Sequence, residues 1–158
     1  MDIEVTLSGD SLVLLMERVK ISLPSAFSFS TIIAIRITDL NYGGHAGNDV
    51  FLVLAHEARQ QFLLQHNYSE LAFGGTGLIM TNAAIEFKRE LLYGNEVKIS
   101  VAASGFDRLG FDIFYRMEIK VNGEWVLAAK VKTGMSCFDY ATKKMVAVPG
   151  EAIVRLTS

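Results

Sequence analysis

Between Asp39 and Val50 the chain reads DLNYGGHAGNDV: two carboxylates, two amides, three glycines and one imidazole in twelve positions. An apolar-periodic segment follows at once. Such a set suits chemistry at a carbonyl. A helix N-terminus presents unbonded backbone N–H groups that bind an oxyanion. His45 and the amides Asn41 and Asn48 are the types that orient a water or polarise a carbonyl. Each residue also has a plainer use. Gly43 and Gly44 permit positive φ, Asn48 is an N-cap candidate, Asp49 suits the positive end of a helix dipole, and His45 is simply solvated. A metal site built on His45, Asp39 and Asp49 is the weakest reading, because the sequence has neither HxxxH nor HxH spacing. No metal or cofactor is expected.

The elements around the loop are legible from periodicity. STIIAIRI, residues 30–37, is rich in β-branched residues and predicts a strand. From 47 to 65 the spacing predicts one long helix, with Phe51, Leu54, Ala55, Ala58 and Phe62 on one face and His56, Glu57 and Gln60 off it. Four strand candidates follow: 77–91, 95–107, 110–121 and 124–140. Asn122-Gly123 is the strongest hairpin signal between them. Phe111, Ile113, Tyr115, Met117, Ile119 and Val121 alternate with Asp112, Arg116, Glu118 and Lys120, so that strand should have one apolar face. Residues 1–24 read as strands or a short helix, closed by Pro24. The expected class is α+β, an antiparallel sheet against one long helix. An open sheet leaves unpaired edges, which predicts a dimer or larger homo-oligomer.

Composition bounds the function. The 158 residues make one domain by length, and half of them are hydrophobic, enough for a sizeable core. A net charge of −2, from 15 basic and 17 acidic residues, offers no electrostatic footprint for nucleic acid. The apolar run at 12–16 stops at Glu17 and Arg18, so no membrane partner is expected. The one cysteine, Cys137, reads as a core hydrophobe, and with no disulfide framework the expected compartment is the cytoplasm.

From Ser30 to Leu63 the order of motifs resembles the hotdog-fold acyl-CoA thioesterases of the 4-hydroxybenzoyl-CoA thioesterase-like group. That group shows D-x-D-x-x-G-H-x-x-N before a helix with an E-A-R-x-x-[FL] run. The corresponding residues here are Asp39, Asn41, Gly44, His45 and Asn48, then Glu57, Ala58, Arg59 and Phe62. IEFKRELLYGNEV (85–97) is similar to the group's next strand, and CFDYATKKMVAVP (137–149) to its closing strand and hairpin. The resemblance implies a hotdog fold over 27–158, a five- to six-stranded antiparallel sheet wrapped around one long central helix, with 1–26 as an N-terminal extension. It implies hydrolysis of an acyl-CoA or acyl-carrier-protein thioester by a homodimer or homotetramer. The group's second acid is replaced by Asn41, and an amide takes no proton from water near neutral pH. The base then falls to Asp39, Asp49, Glu57 or Glu90, the last matching a glutamate used by plant acyl-carrier-protein thioesterases. The implied catalytic set is Asn41, His45, Asn48, Asp49, Glu57 and Glu90, with Asp39, Gly44 and Gly47 at the substrate. Lys88, Arg89, Lys130 and Lys132 are candidates for CoA phosphates, although each also reads as a solvated strand residue. Two alternatives stay open: a non-catalytic acyl-CoA-binding or assembly domain, and a hotdog dehydratase.

Overall fold

The one helical run and the four alternating runs each become the element their period demands. The computed structural model describes residues 3–7, 10–14 and 17–158. In chain order the strands and helices are β1 (Ile3–Leu7), β2 (Asp10–Leu14), β3 (Phe29–Ala34), α1 (Val50–Gln65), β4 (Gly77–Phe87), β5 (Glu96–Ser104), β6 (Gly110–Val121), β7 (Glu124–Asp139), β8 (Lys144–Met145) and α2 (Gly150–Thr157). β1 and β2 pair as a separate two-stranded sheet, so within 1–24 those ten residues are strand rather than helix. The main sheet is antiparallel in the order β3-β5-β6-β7-β4, with β8 added to the end of β7.

Several boundaries differ from the sequence expectation: β4 ends at Phe87 rather than 91, and β5 spans Glu96–Ser104 rather than 95–107. α1 starts at Val50 rather than Gly47, because residues 48 and 49 close a turn in which the Val50 N–H donates to the Gly47 carbonyl (3.0 Å). Asn48 therefore does not cap the helix. Asp49 occupies the N-cap position, with helical φ and no side-chain cap bond. β3 stops at Ala34, because Ile37–Asp39 turn into a short 3-10 helix. α2 is absent from the sequence expectation: it is eight residues long and buries only Ala152 and Leu156, four apart. The Asn122-Gly123 hairpin is as expected. Both residues have positive φ (51° and 84°), the geometry of a tight two-residue turn between right-twisted strands.

The core lies between α1 and the inner face of the sheet. Phe51, Leu54, Ala55, Ala58 and Phe62 meet Val97, Ile99, Ile113, Met117 and Val131, all buried. Each fully buried Leu, Phe or Met contributes about 2 kcal/mol of burial free energy. On the outer face, residues 17–28 cross the strands. The Ile21 N–H donates to Glu86 on β4, its carbonyl accepts from Lys130 Nζ on β7 (3.2 Å), and Phe27 packs against the Arg116 guanidinium on β6 (4.7 Å). Among the described residues no helix is long and apolar enough to cross a membrane.

One charged side chain sits inside this core. Arg59 of α1 donates from Nε to Glu70 (2.7 Å) and from a terminal nitrogen to the Tyr115 hydroxyl (3.2 Å), which also bonds Thr133 (2.9 Å). Tyr115 and Thr133 are fully buried. The network locks the helix to β6 and β7. Removing the guanidinium strands its partners, so Arg59→Ala should lower unfolding stability by about 3 kcal/mol. Urea denaturation checks this, and a loss under about 1 kcal/mol, the worth of one ordinary hydrogen bond, would show the network to be dispensable.

Candidate active site

The loop before α1 is held by Asp39. Its carboxylate accepts the Arg36 backbone N–H (2.8 Å) and the Arg36 guanidinium (3.1 Å), and its carbonyl accepts the Gly47 N–H (3.2 Å). The next turn is closed by Asn41. Its side-chain oxygen accepts the Gly43 N–H (2.9 Å), its carbonyl accepts the Gly44 N–H (3.1 Å), and its own N–H donates to the His45 carbonyl (2.9 Å). Gly44 takes φ of 76°, which favours glycine, and a Cβ on Gly43 would lie 2.9 Å from His45 Nε2 and displace the ring. Ala46 then donates to the Leu91 carbonyl (2.8 Å) and ties the loop to the segment after β4.

That tie brings Glu90 to His45. The imidazole Nδ1 lies 3.2 Å from the Ala46 carbonyl, and Nε2 lies 3.7 Å from Glu90 Oε1. His45, Asn48 and Glu90 line one open cavity of about 330 Å³, with Phe51, Phe87, Lys88 and Arg89. Its floor is aromatic: Phe51 of α1 and Phe87 of β4 meet edge-to-face with centroids 5.0 Å apart. Its lining includes two cations, Arg89 and Lys88, the latter with its ammonium 3.3 Å from Glu86. Among the described residues the N–H groups of Asn48 and Asp49 have no backbone acceptor, as expected at the start of a helix. The cavity thus combines an imidazole, a carboxylate, the amide residue Asn48 and two aromatic rings.

The other expected site residues lie elsewhere. Asp39 is buried and spent on Arg36. Asn41 and Gly44 shape the turn, and the Gly47 N–H is already taken by Asp39. Asp49 is exposed and folds back over Gly47. Glu57 accepts from Gln61 (2.8 Å) and lines a separate groove with Ile32, Arg36 and Val53. Lys130 and Lys132 sit on the outer face, Lys130 against Ile21 and Glu86, and Lys132 against Asp112 (3.1 Å). Sequence reasoning missed the Phe51–Phe87 pair. By period Phe51 reads as core, and only the closing of β4 against α1 makes it a cavity wall. Among the described residues no three His, Cys, Asp or Glu side chains cluster as a metal site.

Residues 35–156 match a family of sequences described as the thioesterase-like superfamily. The chain belongs to that superfamily. No curated protein matches it significantly. Solved structures of similar shape include a 1,4-dihydroxy-2-naphthoyl-CoA thioesterase from Synechocystis, 18% identical over 81% of this chain and 94% of that one, with a TM-score of 0.71. An Asp-to-Asn mutant of 4-hydroxybenzoyl-CoA thioesterase, complexed with 4-hydroxybenzoyl-CoA, is 14% identical over 84% of this chain and 100% of that one, with a TM-score of 0.76. A thioesterase from Thermus thermophilus, complexed with coenzyme A and zinc, is 22% identical over 84% and 95%, with a TM-score of 0.71. These likenesses establish for this superfamily member the hotdog architecture, with its antiparallel sheet around the central helix.

The hydrogen bond from the Arg36 side chain holds the Asp39 carboxyl below its usual 3.8, against the upward push of burial. A depressed folded-state pKa stabilises above the unfolded value and loses its effect as pH falls through the folded one. Asp39→Asn should therefore be less stable than the natural chain at neutral pH. The difference should shrink steadily below the ordinary aspartate range. Chemical denaturation across that range is the measurement, and a difference independent of pH would remove the ionised carboxylate from the account.

Proposed function

We propose that the chain hydrolyses acyl-CoA thioesters in the His45–Asn48–Glu90 cavity. The observation that carries this reading is the approach of Glu90 to His45, 3.7 Å apart, beside the start of α1 and within the segment that matches the superfamily. The Glu90 carboxylate takes a proton from a water, whose oxygen forms a bond to the thioester carbon. The oxyanion of the tetrahedral intermediate is held by the helix-start N–H groups and His45. The C–S bond then breaks, and the proton passes from Glu90 to the departing sulfur. Lys88 and Arg89 of the cavity lining meet the phosphates of CoA. The Phe51–Phe87 wall suits an aromatic acyl group, the kind named for the Synechocystis and 4-hydroxybenzoyl-CoA enzymes.

The second reading, acyl-CoA binding without turnover, is favoured by the amide at Asn41, where the resemblance places an acid. The two readings separate on one experiment. Release of free thiol from a panel of acyl- and aryl-CoA substrates should be measurable. Glu90→Gln should reduce kcat by about 10²-fold with an unchanged melting temperature. Absence of turnover on the whole panel, with binding retained, would establish the binder.

We place the working unit as a cytoplasmic homodimer or homotetramer. Among the described residues β4, eleven residues long, pairs on one side only and exposes Met80, and Phe87 is half-exposed at its end beside the cavity. Such an edge needs a partner strand. Sedimentation at micromolar concentration should give at least twice the 17.4 kDa chain mass; a stable monomer would rule the pairing out.

A further inference from the structure

The outer face of the sheet, away from the His45 cavity, carries polar groups that thioester chemistry does not use. Strand register sets Ser30 of β3 opposite Ser100 of β5, and Ser100 opposite Arg116 of β6. Residues so paired sit about 5 Å apart and face the same way. Lys98, two residues before Ser100, lies on the same face. The crossing segment adds Ser25, Phe27 and Ser28, and with Phe29 these residues enclose a depression of about 320 Å³.

The chemistry of that depression is one-sided. Four serine hydroxyls line it, and none of them has a hydrogen-bond partner among the described residues. Arg116 Nε is buried without a hydrogen bond, and the guanidinium carbon lies 4.7 Å from the Phe27 ring centroid. The acid beside it is Glu118. Its Oε2 is shared between Arg116 Nε (3.3 Å) and Lys98 Nζ (3.5 Å), and it too makes no hydrogen bond. One carboxylate divided between two cations leaves positive charge and free donors, the requirement of a multiply charged oxyanion. The volume exceeds what a lone phosphate fills. Trp125 lies outside that lining and is linked to it through Lys98, whose Nζ stands 5.1 Å from the ring centroid, with Lys120 Nζ at 5.3 Å.

We propose that this depression binds a nucleoside monophosphate, with the phosphate among the serine hydroxyls, Arg116 and Lys98, and the base on Trp125. The site shares no residue with the His45 cavity and is independent of the hydrolase reading. Because Trp125 is the one tryptophan of the chain, all tryptophan emission comes from this residue.

The full-length protein is titrated at low ionic strength with AMP, adenosine and inorganic phosphate, with calorimetry beside fluorescence. AMP should shift Trp125 emission saturably and bind at least about tenfold more tightly than either fragment, because the two contacts are linked. Arg116→Gln should weaken AMP by about tenfold or more, through loss of a charge-assisted bidentate contact, while leaving thioester turnover at its natural level. Ser100→Ala is the second variant, should Arg116→Gln not fold, and should also weaken AMP. A lack of saturable response to AMP, phosphate binding as tightly as AMP, or wild-type AMP affinity in a folded variant would each overturn the site.

Discussion

Asp39 lies buried beneath the polar loop and holds both of its ends: the carboxylate closes the turn onto Arg36, and the carbonyl takes the Gly47 N–H just ahead of α1. A buried carboxylate needs such partners to remain ionised, and here they are supplied within the loop itself. Once those ends are set, the intervening residues have little freedom. Asn41 closes a glycine turn, Gly43 yields space to the His45 ring, and Ala46 reaches across to Leu91. The ring of His45 and the carboxylate of Glu90, 45 residues apart in sequence, meet as a consequence.

The rest of the fold supplies a rigid mount for that loop. α1 is held by burial of its apolar face and oriented by the Arg59–Tyr115–Thr133 network, which apolar packing alone does not specify. The sheet beneath is continuous from β3 to β4, so the end of β3 that feeds the loop and the end of β4 that delivers Glu90 are fixed relative to each other. Polar groups collect at this one end of the sheet and along its outer face, while the inner face is almost wholly apolar.

In the proposed chemistry, the exchange of an acid for Asn41 moves the base from the loop to the segment after β4. The amide is not idle. Its side-chain oxygen fixes the turn that presents His45, a task an amide oxygen performs as well as a carboxylate. The carboxylate on the far wall of the cavity then has no like charge beside it on the loop, since Asp39 is neutralised by Arg36 and Asp49 points away from the cavity.

The sequence by itself determined the class, the single long helix and its buried face, the four later strands, and the Asn122-Gly123 turn. Each is written in local periodicity or in the φ demands of particular residues, and both are properties of short windows. Helix α2 escapes such a reading because two apolar anchors in eight residues leave almost no periodic signal. The start of α1 is displaced from its expected place because a backbone carbonyl, not the Asn48 side chain, receives the first N–H. Among His45, Asn48, Asp49, Glu57 and Glu90, which groups share a cavity was decided only by tertiary structure. Glu57 and His45 are twelve positions apart, and α1 carries Glu57 into another groove. Glu90 is far more distant in sequence, yet the Ala46–Leu91 hydrogen bond folds it onto the imidazole. Residue type limits what a side chain can do, but proximity across the chain depends on strand register and on hydrogen bonds between segments, which no local pattern encodes.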